Sequence, residues 1–181
     1  PLYYRIKPQK MDFMFSESSI TNIVDRIELD TSNADTMNNA FSISDIEKIG
    51  YIDCTGLSNS ETKCFNEVFK SCEKLTDIET IKMYQNITFD NAFNGAGAIT
   101  TIRFEPCNDE TSVGIGQEGL SFGDCSKLSW GSVASIINAL SKSTNKLTIT
   151  FNKAVENYPL FETSKATRQN WIFKTVEGDG L

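Results

Sequence analysis

The chain contains no histidine, which removes Ser-His and Cys-His nucleophile pairs and every His-ligated metal from consideration. Its five cysteines, Cys54, Cys64, Cys72, Cys107 and Cys125, form no C-x-x-C pair and no tight framework of even number. That pattern suits neither zinc nor a disulfide scaffold, and buried free thiols are expected instead. Positive charge is scarce: 17 Lys and Arg stand against 24 Asp and Glu, a formal net charge of −7. A phosphate-backbone partner is held by clustered cations, and the densest clusters here, "RIKPQK" and "NKLTITFNK", are short and diluted. Nucleic acid is therefore not an expected partner. No run approaches the roughly 20 apolar residues that span a bilayer, so membrane insertion is not expected either. The chain starts at Pro1 rather than Met, as a processed product or a piece of something longer would. At 181 residues, one domain with a substantial core is the starting expectation.

What is present is a repeat. Five segments share one register: an apolar residue, Phe four places on, a small residue three later, then Leu or Ile, then Ile. The copies read Met11, Phe15, Ser18, Ile20, Ile23; Met37, Phe41, Ser44, Ile46, Ile49; Phe65, Phe69, Cys72, Leu75, Ile78; and Phe89, Phe93, Ala96, Ile99, Ile102. A fifth begins at Phe122, continues through Cys125 and Leu128, and leaves the pattern at Trp130. The Phe anchors lie 26, 28, 24 and 29 residues apart. A period of that size implies one coil per repeat, since a single unit cannot bury its own apolar face and must stack on a neighbour. The Ile-x-x-Ile step followed by alternation, as in "IEKIGY" and "ITTIRF", predicts a short strand in each copy that adds to a parallel sheet. In "FNGAGAI" the glycines then occupy the turn that "FKSCEKL" fills one copy earlier, with Ala96 in the place of Cys72. Cys54 and Cys107 each follow an aromatic strand residue by three, Tyr51 and Phe104, which predicts a place in the core for both.

The segments "EVFKSCEKLTDI", "NAFNGAGAITTIRFEP" and "LSFGDCSKL" resemble the A-F-x-x-C-x-x-L-x-x-I-x-I-P signature of BspA-like bacterial leucine-rich repeats. The likeness runs over about residues 11 to 130. Copies one and two depart from it, with Ser18 and Ser44 in place of the Cys and a gap one residue shorter. The resemblance implies a leucine-rich-repeat solenoid, an α/β fold of short parallel strands stacked in about five coils. It also implies a bacterial cell-surface or secreted adhesin that binds host protein or glycan.

After Leu128, "SWGSVASIINALSK" places Val133, Ile136, Ile137 and Leu140 at helical spacing, with Ser129 as an N-cap. This helix, the strand "LTITF" and the closing "ATRQNWIFKTV" read as a helix-containing cap over 130–181, with the solenoid over 11–129 and an extended segment or cap over 1–10. Residues 123 to 175 resemble the segment that ends many repeat proteins of gut bacteria, their phages and prophages. That likeness implies a virion-associated component of a bacteriophage, in the tail or another exposed appendage, with neighbouring virion subunits as partners and a homo-oligomer as an allowed state.

Candidate sites are few. "VGIGQEG" fits G-x-G-x-x-G through Gly114, Gly116 and Gly119, yet it leads into Phe122 of a repeat rather than into a helix, so a turn is expected there. "EPCNDETS" groups Glu105, Asp109 and Glu110 without the spacing or glycine of a calcium loop. "NIT" at 86–88 is a glycosylation sequon that matters only in a secretory pathway. No cofactor and no metal are expected, and catalysis is not, because acid pairs are the only chemistry left and no two are brought together by spacing alone. Binding is the expectation. Alternation about the strand Ile residues points Asn22, Arg26, Lys48, Asp77, Glu79, Thr101, Arg103 and Glu105 outward on one sheet face, a mixed-charge surface suited to a protein or a glycan.

Overall fold

A computed structural model describes residues 4–34, 36–54, 65–83, 87–106, 114–158, 161 and 170–178, the side chains of 4 and 24–27 excepted. The chain is an α/β protein whose named strand pairs all run parallel. Strands β1 (Tyr4–Ile6), β2 (Asn22–Asp30), β3 (Lys48–Asp53), β4 (Asp77–Met83) and β5 (Thr101–Pro106) form one sheet in sequential order. Strands β6 (Leu120–Phe122), β7 (Leu147–Asn152) and β8 (Trp171–Val176) form a second, also in order. Among the described residues helix α1 (Trp130–Ala139) lies between β6 and β7 in the chain, and a 3-10 turn, Lys153–Asn157, follows β7.

The strands line up because their apolar residues do. Ile23 pairs with Ile49, Ile49 with Ile78 and Ile78 with Ile102, each buried at 3 % exposure or less. One row further on, Leu29, Ile52, Ile81 and Phe104 stand in register. A one-residue slip would turn a whole strand's apolar side outward, so the register is strongly held. Opposite the sheet the Phe anchors stack: Phe15 on Phe41 (5.2 Å between centroids), Phe41 on Phe69 (5.7 Å), Phe69 on Phe93 (5.7 Å) and Phe93 on Phe122 (4.4 Å). The stack continues beyond the five copies legible in the sequence, to Phe151 (5.8 Å) and Phe173 (6.3 Å). Residues within 130–178 thus add two further tiers to the same ring column.

A second ladder of backbone bonds runs through the turns that carry these rings. In each turn alternate N–H groups close locally, and the ones between reach the next tier. Phe13, Phe15 and Glu17 donate to Asn38, Ala40 and Ser42 O; Asn39, Phe41 and Ile43 donate to Asn66, Val68 and Lys70 O; Glu67, Phe69 and Ser71 donate to Asp90, Ala92 and Asn94 O. The geometry needs left-handed backbone two residues before and two after each ring, at Phe13 and Glu17, Asn39 and Ile43, Glu67 and Ser71, Asn91 and Gly95. Gly95 therefore sits where Ser71 sits one tier earlier, as the repeat alignment predicts, and a Cβ there would meet Ser71 at 3.3 Å.

The sheet ends at β5 because α1 takes the place of a sixth strand. Ser132 Oγ accepts from Ile102 N–H (3.0 Å) and Ser135 Oγ from Phe104 N–H (2.9 Å), so two helix hydroxyls satisfy an edge that would otherwise be orphaned. Ser129 caps the helix as expected, its Oγ accepting from Ser132 N–H at 3.2 Å. Leu140 is not helical: it is extended and bridges Ile115, which also bridges Ile87, so the helix stops one residue short of the sequence reading. Gly114 allows this close approach, since a Cβ there would lie 2.4 Å from Ala139 O. Cys54, Cys72 and Cys125 are buried free thiols, and burial pushes Cys125 up to about 12, which leaves it unreactive. Cys64 and Cys107 lie outside the described residues.

Phe69→Ala removes a fully buried ring from mid-column and should cost about 3–5 kcal/mol, whereas Phe15→Ala, at the half-buried first position, should cost less than half of that; urea unfolding of both variants checks the ordering. Ile43 is β-branched, 60 % exposed and left-handed (φ 58°), where the preceding turn places Glu17 and the next Ser71. Relieving it with Ile43→Asn should raise stability by roughly 0.5–1 kcal/mol in the same assay.

Candidate binding face

The strands present their outward residues in rows across the sheet. The first row is Asn22, Lys48, Asp77 and Thr101, in mutual register, with Lys48 Nζ 3.6 Å from Asp77 Oδ2. Four of the sequence-predicted face residues are therefore brought side by side. Asn22, Lys48, Glu79, Thr101 and Arg103 are exposed, and Asp77 and Glu105 are half-buried. Arg103 Nη2 lies 3.6 Å from Glu105 Oε2 on the same strand. The side chain of Arg26 lies outside the described residues.

A second row was not legible. Asp30, Asp53, Lys82 and Glu105 stand in register across four strands, and beside it Arg5, Glu28, Tyr51 and Thr80 form a third. Of these eight residues only Glu105 was expected. The reason is irregular spacing: the two core residues of β3 and β4 are three apart, Ile49 to Ile52 and Ile78 to Ile81, while those of β5, Ile102 and Phe104, are two apart. In β2 the register shifts further, between Ile23 and Glu28. Strict alternation therefore loses the face halfway along β2, β3 and β4. The available signal is the residue that follows the second core position, in "ELD", "YID", "TIK" and "RFE".

The third and second rows meet at a group of acids. Glu28, Asp30 and Asp53 are 4 %, 2 % and 5 % exposed, an unusual degree of burial for carboxylates without strong partners. Cations from β1 and the residue after it supply those partners. Arg5 Nε lies 3.1 Å from Glu28 Oε2 and its Nη1 3.4 Å from Asp30 Oδ2, while Lys7 Nζ lies 2.8 Å from Asp30 Oδ2. Ser32 N–H donates to Asp30 Oδ1 at 2.8 Å. Burial drives the Asp30 carboxyl up, but the bonds from Lys7 and Ser32 outweigh it and hold the group below its usual range. Glu28 goes the other way: burial and a shared hydrogen bond with Asp53 raise it, against the pull of Arg5. Burial also pushes the Tyr51 hydroxyl up to about 12, against the pull of Lys82, so the phenol stays protonated.

At the far edge of the sheet a groove of about 500 Å³ separates β5 from α1, with Thr101 and Arg103 on one wall and Gly131, Ser135 and Asn138 on the other. The glycine motif at 114–119 leads into β6 rather than into a helix, which leaves it without the helix N-terminus that a dinucleotide site uses. Asp109 and Glu110 of the acidic run, and Asn86 of the sequon, lie outside the described residues. Among the described residues no three acidic or thiol groups are arranged to hold a metal ion.

The sign of the pH response follows from these shifts. Asp30, lowered in the folded state, contributes stability above the ordinary aspartate range that is lost as pH falls through its folded value; Glu28, raised, contributes stability at low pH that is lost as pH rises through its own. Asp30→Asn should therefore destabilise at pH 7 by about 1–2 kcal/mol, and the difference from the parent should shrink as pH falls below about 4, as read from urea midpoints across pH. Set against protein-family models, curated proteins and solved structures, the chain matches none of them.

Proposed function

We propose that the chain is a leucine-rich-repeat solenoid of the BspA-like type, and that it is a non-catalytic binding or structural module of a bacteriophage virion, in the tail or another exposed appendage. The observation that carries the reading is the in-register row Asn22, Lys48, Asp77 and Thr101 on one sheet face, with Lys82 and Glu105 paired beside it. The ring column and the turn ladder, repeating every 24 to 29 residues, support the repeat half of it. A broad surface of mixed charge suits a protein or a glycan better than a small molecule. The likeness of residues 123 to 175 to phage-encoded repeat proteins directs the reading toward assembly or host recognition. The repeat signature taken alone favours the second reading, a bacterial cell-surface or secreted adhesin that binds host protein or glycan.

The test is a binding screen of the full chain against bacterial envelope glycans and envelope proteins, with mammalian glycans and matrix proteins alongside. The phage reading expects binding in the first group and the adhesin reading in the second. In either case the double variant Lys48→Glu, Arg103→Glu should weaken binding by about tenfold or more, while Lys127→Glu, outside the rows, should leave it unchanged. Absence of binding in both groups would remove the recognition role.

A further inference from the structure

We infer that the protein associates with a second copy of itself head to tail, the first turn of one copy, residues 11–18, seating on the free edge of β8 of another. The inference rests on how the tiers stack within one molecule and not on the functional reading above.

Three successive turn-to-turn contacts are directional. One turn offers N–H groups, at Phe13, Phe15 and Glu17, and the following turn receives them on the carbonyls of Asn38, Ala40 and Ser42. The corresponding carbonyls of the first turn are those of Asp12, Met14 and Ser16, and among the described residues no donor reaches them. On the same side Phe15 is only half-buried, where Phe41, Phe69 and Phe93 are at most 1 % exposed, and Phe13 and Met14 stand out at 63 % and 36 %. The first tier therefore presents the receiving half of a contact the molecule makes repeatedly.

The offering half stands at the opposite end. β8 is the last strand of its sheet, and its outer row of backbone groups has no strand partner among the described residues. Phe173 closes the ring column there, half-buried against Phe151 and edge-on to Phe161, with Ile172 and Val176 exposed at 43 % and 41 % on the same strand. On the other side of the molecule the α1 hydroxyls close the β5 edge, while β1, like β8, is the last strand of its sheet. Among the described residues the ring side is open at both ends. Because the named strand pairs all run parallel, translation of one copy along the ring column brings the β8 edge under the first turn with donors on the earlier tier and acceptors on the later one, the direction that the turn ladder uses. Charge agrees: Asp12 and Glu17 are exposed on the receiving turn and Lys174 on β8. A contact between two different surfaces of one chain is heterologous, so it closes into a ring or grows as a filament.

The experiment uses the full chain and two variants. Phe13→Glu charges the receiving turn at a position where the third tier already carries Glu67 in the same left-handed backbone, so the fold should tolerate it. Ile172→Glu charges β8 at an exposed site. Sedimentation equilibrium over about two decades of concentration should show the parent rising above the 20.2 kDa monomer, and each variant, with unchanged circular dichroism, weakened by about tenfold or more. A mixture of the two variants should form a one-to-one dimer and nothing larger, because each supplies the end the other lacks. A parent that stays monomeric, variants that still associate, or a mixture that fails to pair would overturn the inference. A monomer that binds an envelope ligand would do so while leaving the recognition reading intact.

Discussion

One stacked column of phenylalanine rings constrains everything else in this molecule. A ring in mid-column is covered above and below by another ring, so the chain must return to the same place once per repeat, and a tier without a neighbour leaves its ring face in water. That requirement sets the parallel order of the strands, since successive tiers pass the column in the same direction. It also sets the burial of Ile49, Ile78 and Ile102, which fill the space between the column and the sheet. The hydrophobic effect supplies the driving force, at about 1.5–3 kcal/mol per fully buried large side chain, while ring geometry supplies the repeat distance.

Stacking by itself would leave the backbone of each turn unsatisfied, and the two hydrogen-bond ladders answer that. On the strand side the ladder is ordinary parallel sheet. On the ring side it depends on left-handed residues flanking each ring, a conformation that glycine and asparagine adopt at little cost and that Ile43 and Phe13 adopt only because their neighbours on the next tier hold them there. Where a ladder runs out of backbone, side chains substitute. Ser132 and Ser135 accept the last sheet N–H groups, and Gln117 Oε1 accepts from Phe89 N–H while its amide donates to Asp90. These substitutions explain why a helix can follow a strand in the series without disturbing the ring column.

The outward face obeys different physics, because its side chains are not bound by the column. There the strands can carry charge, and at one end they carry it under cover: Glu28, Asp30 and Asp53 are buried, and the exposed cations Arg5 and Lys7 lie over two of them. Removing those cations would leave carboxylates desolvated and unpaired, the costly arrangement, so the short strand β1 is tied to the sheet as much by charge as by its three residues of pairing. Elsewhere on the face Lys48, Glu79, Thr101 and Arg103 are exposed to solvent.

The repeat, the stacked rings and the parallel strands were legible because each depends on residues at fixed intervals, and the capping role of Ser129 because it depends on its immediate neighbours. The outward positions of Asn22, Lys48, Glu79, Thr101 and Arg103 were legible for the same reason, lying within one residue of a core Ile. The buried acids were not, because the spacing between core residues changes from strand to strand, and a face assigned by alternation is lost at the first irregular step. The tiers at Phe151 and Phe173 were hidden because their rings lack the Leu or Ile five or six residues on that marks the other copies. The sequence by itself determined what must be buried, since periodic apolar residues have only one low-energy destination. Only the tertiary structure decided which charges meet, because Arg5, Glu28 and Asp53 come from three strands, and their meeting depends on register and not on any interval along the chain.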